Sequence, residues 1–163
     1  MTRRRRDQFH QQKLNQQKNA IRDFANASED IVNAGNHAKT YLRIITSGDP
    51  TAFPLHKEQT QMVAAFKKAF PNQNIEVITK EELEAMAESP KFAEFKDKFK
   101  DMVPEYKRAT FVRLRADEAY GTRNSIVVPR LLFMGIEMRR NTEGVNMRLQ
   151  AQIIANNATV RQE

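Results

Sequence analysis

Apolar residues recur at intervals of three and four along most of this chain and alternate in only a few short stretches. The pattern predicts a helix-rich fold with a small sheet. From Glu29 to Thr46, the residues Ile31, Gly35, Ala38, Leu42 and Ile45 fall on one helical face, with Tyr41 beside it. Asn26, with Glu29 three residues on, resembles a capping box for that helix, and Ser47-Gly48-Asp49-Pro50 ends it. A second helix fits Lys57–Phe70, stopped by Pro71-Asn72, and Ile75–Ile78 follows as a short extended piece. Thr79 and Glu82 form an S/T-x-x-E box for a third helix carrying Leu83 and Met86. Ser89-Pro90 then opens a fourth, in which Phe92, Phe95, Phe99, Met102 and Tyr106 hold the spacing, with Pro104 expected to kink or end its last turn.

The period then changes. Ala109–Arg115 reads as a strand from its β-branched and aromatic content, and a polar loop from Asp117 leads to extended Ser125–Val128. Pro129 is placed as the N1 residue of a helix carrying Leu131, Leu132, Gly135 and Met138. Glu143-Gly144 ends this helix, and Met147–Ile154 forms a further one. The expected fold is therefore α+β and predominantly helical. It is a single compact domain over 26–155 with about five helices and a sheet of two or three short strands, between an unpacked basic arm (1–25) and a short tail (156–163).

Composition narrows the chemistry. With no Cys among 163 residues, disulfides, thiolate metal sites and thiol nucleophiles are excluded. No apolar run approaches the length of a membrane span, and the amino terminus lacks the apolar centre of a secretory signal, so a cytoplasmic protein is expected. The formal net charge is +7, and Arg3, Arg4, Arg5 and Arg6 supply four of those charges in one run. Such a run can bind nucleic acid or the ribosome through counterion release, or remain a solvated tail. His10, His37 and His56 stand at no metal-ligand spacing, and no metal site is expected. The five glycines form neither a dinucleotide fingerprint nor a phosphate loop, so no cofactor, catalytic residue or small-molecule substrate is expected.

The helix after Pro129 carries the most informative polar residues. Glu137, Arg140 and Asn141 stand at i, i+3 and i+4 and share a face. Arg130 lies in the first turn, where a cation opposes the helix dipole, which argues for a specific partner such as a carboxylate within the fold. Two readings stand at this point, an internal salt-bridge network and a binding face.

These residues also carry a resemblance. PRLLFMGIEMRRNTEGVN (129–146), with Tyr120, Asn124, Ser125 and Ile126 leading in, resembles the eukaryotic polysaccharide biosynthesis domain-containing protein family. Glu105-Tyr106, Thr110–Arg113, Ala38–Pro50 and Glu81–Leu83 are similar to further segments of it, so the likeness covers roughly 28–146. Departures are local: Arg108 and Ala109 replace an aromatic and a Gly, Thr122 and Arg123 an acidic pair, Leu132 a Gln, and Phe92 stands where Trp is common. What the resemblance implies is a cytosolic, ribosome-associated chaperone of nascent translation elongation factor 1-alpha. It would engage that client's GTP-binding domain and be released once the domain has folded with GTP. The surface around Tyr120, Asn124, Arg130, Glu137, Arg140 and Asn141 is then expected to meet the client. A ribosome- or RNA-binding accessory role through the Arg arm is the alternative. A methyltransferase of polysaccharide pathways is the less favoured one, because no Gly-rich methyl-donor turn is present.

Overall fold

The computed structural model describes residues 3–162, with side chains throughout except at 17–28 and 158–162. The chain divides into two compact units, Met1–Asn33 and Ala34–Glu163. Its elements run α1 (Arg3–Thr46), a 3-10 turn (Pro50–Ala52), α2 (Gln59–Ala69), α3 (Lys80–Glu88), α4 (Pro90–Phe99), β1 (Ala109–Arg113), β2 (Ser125–Pro129), α5 (Arg130–Thr142) and α6 (Val145–Gln162). The α+β, mostly helical class expected from the period is the one observed.

The first helix is longer than its apolar stripe suggested. No Gly or Pro interrupts residues 3–34, and Arg, Gln, Lys and Ala favour helix, so α1 begins at Arg3 rather than at the Asn26 box. The Asn26 side chain lies outside the described ones. Residues 3–16 are helical with every side chain exposed, where the sequence suggested an unpacked arm. In the second unit Ala34, Ala38, Tyr41 and Ile45 are buried, so the stripe includes Tyr41 as a core residue. Ile31, placed on the stripe by its spacing, is 58% exposed instead.

Local signals place the middle helices. Thr79 Oγ1 accepts the Glu82 N–H at 3.1 Å to cap α3, and Ser89 Oγ accepts the Phe92 N–H at 3.1 Å to cap α4, with Pro90 as the first helical residue. Phe92, Phe95 and Phe99 are buried from α4, but the helix stops at Phe99, short of Tyr106. Val103 takes the inward position beyond it, Met102 is exposed, and Glu105 adopts φ +54 ahead of β1.

The sheet is two-stranded and antiparallel, pairing Ala109 with Pro129, Phe111 with Val127 and Arg113 with Ser125. The third extended segment contributes one bridge, Val77 to Arg115. One hydrophobic core joins α1 from Tyr41 onward, α2, α3, α4, the sheet, α5 and α6 around Phe66, Phe99, Leu131 and Ile136. At its centre runs α5, buried continuously from Leu131 to Asn141. Because it is enclosed on all sides, its polar residues must find partners inside the fold. After Gly144, α6 runs to Gln162, past the expected end at Ile154, and buries Val145, Leu149 and Ile153.

Candidate functional site

Pro129 caps α5 from outside and Arg130 is its first helical residue, one position later than the sequence suggested. No side chain caps this end. The Arg130 N–H donates to Arg108 O at 2.8 Å and the Leu131 N–H to Tyr106 O at 3.0 Å, so the chain entering β1 satisfies the helix start. The Arg130 guanidinium, half-buried, donates from Nη1 to Pro104 O at 3.2 Å. A backbone carbonyl, not the expected carboxylate, is therefore its partner.

Glu137 is the hub of the interior. Its Oε1 accepts from Arg140 Nη1 at 2.8 Å and Arg113 Nη2 at 3.1 Å, and its Oε2 from the Tyr41 hydroxyl at 2.6 Å and Asn146 Nδ2 at 3.0 Å. Asn141 donates to Tyr41 at 3.1 Å and accepts from Asn146 at 2.6 Å, closing a ring of polar side chains. Two guanidiniums around one carboxylate leave an excess positive charge in the buried interior, which main-chain carbonyl dipoles solvate. Arg113 Nη1 donates to Ala116 O at 2.7 Å and Glu118 O at 3.2 Å, while Arg140 donates to Ile75 O at 2.7 Å and Arg113 O at 2.9 Å. Burial opposes ionisation of Glu137, but Arg113, Arg140 and the Tyr41 hydrogen bond outweigh it and hold its carboxyl at about 2. Burial, and then the Glu137 charge, push the Tyr41 hydroxyl well above the phenol range, so it stays a donor.

Of the six residues expected to meet a client, three are thus consumed by this network: Glu137, Arg140 and Asn141, each buried. A fourth, Asn124, is also buried and holds the β1–β2 connection. Its Oδ1 accepts the Arg115 N–H at 2.8 Å, and its Nδ2 donates to Arg115 O at 3.0 Å and Ala119 O at 3.1 Å. All four are buried and bonded within the fold. Tyr120 and Arg130 remain half-buried. Arg3, Arg4, Arg5 and Arg6 are exposed on α1. Tyr41, Arg113 and Asn146 are network members the sequence reading did not single out. The available signal was Arg113, a cation inside a β-branched strand.

A concave surface lies away from this network. A cleft of about 580 Å³ opens between Gly35, Ala38 and Leu42 of α1 and the β-hairpin, which contributes Phe111, Tyr120 and Ser125. The Tyr120 hydroxyl is shielded from solvent on the network side, where burial, then the Glu137 charge, push it above the phenol range and the neighbouring Arg113 pulls it back. Lys39 lines the cleft as well, and Arg43 follows it one turn along α1. Both side chains are exposed, and neither has an ion-pair partner among the described residues. Among the described residues no group of three or more His, Asp or Glu is placed to hold a metal, and no helix is long and apolar enough to cross a membrane.

Residues 27–151 match the family described as PBDC1 protein. Protein PBDC1 of Mus musculus is 33% identical over 122 residues, covering 75% of this chain and 62% of that protein. Protein PBDC1 of Homo sapiens is 35% identical over 113 residues, covering 69% and 48% respectively. The matched part of the chain thus spans about half to three-fifths of the length of these mammalian relatives. The solution NMR structure of protein yst0336 from Saccharomyces cerevisiae is similar with a TM-score of 0.68 at 26% identity, over 77% of this chain and 88% of that one.

Proposed function

This chain belongs to the PBDC1 protein family, and we propose on that footing that it is a non-catalytic, cytoplasmic chaperone of nascent translation elongation factor 1-alpha. It holds the unfinished GTP-binding domain near the ribosome and lets it go when GTP completes that domain's fold. The observation that carries the reading is the family match itself, over the same span whose motifs resemble a dedicated chaperone of this client. The side-chain geometry supports a holding role over turnover. The charged groups of α5 are tied into the core, while the cleft offers apolar walls beside unpaired cations, a combination suited to gripping a polypeptide. Pulldown of the recombinant GTP-binding domain tests the proposal. Capture of the nucleotide-free domain and release on adding GTP is expected, and no capture in either state overturns it.

A second reading has one observation in its favour. Arg3–Arg6 occupy the first turn of α1, which has no acidic residue, so four cations sit where the helix dipole favours anions. A polyanion such as ribosomal RNA relieves that repulsion. On this reading, binding to ribosomes falls steeply with salt and disappears when the four arginines are replaced by Gln.

A further inference from the structure

Among the described residues the β2 edge of the two-stranded sheet pairs with no further strand, and the hydrogen-bond parity shows which of its groups face outward. The Arg130 N–H bonds Arg108 O and the Leu114 N–H bonds Asn124 O, and both pairs lie on the β1–β2 register. In an antiparallel ladder hydrogen-bonded pairs alternate with non-bonded ones. Thr110–Val128 and Val112–Ile126 are therefore the bonded pairs, and the main-chain N–H and C=O groups of Ser125 and Val127 point away from β1. Nothing among the described residues takes them up, and the Val127 side chain is 47% exposed. An open edge of this kind is a template for another strand.

We propose that this edge and the adjoining cleft together take an extended polypeptide segment, which pairs with β2 and directs a large apolar side chain into the cleft. Val127 and Phe111 are cross-strand partners on one face of the sheet, and Phe111 lines the cleft. An added strand continues that row, so its side chain opposite Val127 stands on the cleft side. Lys39, in the cleft, and Arg123, exposed in the adjoining connection, lack ionic partners among the described residues and favour acidic residues flanking the apolar one. Main-chain pairing supplies affinity without a fixed sequence, which suits capture of a domain before it has folded. The identity of that domain rests on the function proposed above, whereas the mode of capture rests on the edge and the cleft.

Two substitutions test the mode without disturbing the core. Val127→Pro removes an outward N–H and no ladder bond, which is where sheets accept proline. Gly35→Leu fills the cleft, because a Cβ at Gly35 meets nothing within 4 Å and leucine favours the helix. Both variants are expected to keep the wild-type melting cooperativity and to bind the elongation factor GTP-binding domain at least tenfold more weakly. In the wild-type complex, hydrogen exchange at the Ser125 and Val127 amides slows by the same order. Wild-type affinity in both variants, or unchanged exchange at those amides, overturns the proposal. If the wild-type chain does not capture that domain, the client assignment fails. The mode is then read with reduced, carboxymethylated α-lactalbumin as an unfolded probe: binding weakened tenfold by both substitutions sustains it, and absent or unaffected binding overturns it.

Discussion

The Tyr41 hydroxyl donates a 2.6 Å hydrogen bond to Glu137 Oε2 inside the core, tying α1 to α5 across 96 residues of sequence. Removing either partner tests what the network contributes. Tyr41→Phe leaves Glu137 with its two guanidiniums and Asn146, and a loss of roughly 1.5–3 kcal/mol is expected for a bond to a charged group. Glu137→Gln leaves Arg113 and Arg140 facing each other without a counter-charge, for which about 3–5 kcal/mol is expected. Urea denaturation measures both, and a Glu137→Gln loss smaller than that of Tyr41→Phe contradicts the hub role.

Acid should find the same weakness. The Glu137 carboxyl titrates at about 2 in the folded chain against 4.5 for the free group, so the unfolded state takes up its proton first as the pH falls. The stability this residue contributes is complete above about pH 4.5 and is lost towards pH 2, on the order of 3 kcal/mol. A series of urea midpoints from pH 6 to 2 shows this decline in the wild type and a flatter one in Glu137→Gln.

His37 gives a separate signature nearer neutrality. Its ring lies 5.1 Å from Phe133 and 6.4 Å from Tyr41, and burial, then the charges of Arg130 and Arg108, lower its protonation below the usual 6.5. The unfolded state therefore binds the proton more readily, and stability present above about pH 6.5 falls as the pH drops. His37→Phe keeps the aromatic contacts and should reduce the loss of melting temperature between pH 7.5 and 5.

Phe66 of α2 packs directly over Gly135 of α5. A Cβ there meets Phe66 Cδ2 at 2.5 Å, and the Phe66 ring is itself held by Phe70 at 5.1 Å and Phe95 at 5.5 Å. Gly135→Ala is expected to lose roughly 1–2 kcal/mol, overpacking outweighing the better helix propensity of Ala. Added Phe66→Leu should soften that loss, giving a favourable coupling in a double-mutant cycle.

Two residues in the left-handed region should respond in opposite senses. Gly144, at φ +74, ends α5 with its N–H on Asn141 O, so Gly144→Ala should cost about 1 kcal/mol. Glu105, at φ +54, carries a strain that Gly does not, and its ion pair with Arg108 is largely exposed. Glu105→Gly is expected to be neutral or about 1 kcal/mol stabilising, and a loss of similar size to that of Gly144→Ala refutes the strain assignment.

The helix starts at Lys80 and Pro90, the stop at Gly144 and the two strands were legible because a cap or a period lies within a few residues of what it specifies. The start of α1 was not, since a missing helix breaker leaves no positive mark. The end of α4 was not legible, since the aromatic spacing runs on past Phe99 into a segment where Val103 rather than Met102 points inward. Glu137 and Arg140 were legible as a pair on one helix turn, but whether they faced a partner or the core depended on what surrounds α5.

By itself the sequence determined the helix-rich class, the local caps, the absence of thiol chemistry and, through its motifs, the family. Periodicity, capping and composition act over a handful of residues and survive in the one-dimensional record. Only the tertiary structure decided that four of the six suspected contact residues are internal, and that the free groups lie on the β2 edge and the cleft beside it. Glu137, on α5, meets Tyr41, Arg113 and Asn146 from three other elements. Which buried polar groups find each other depends on how those elements pack, and packing across that separation leaves no local pattern to read.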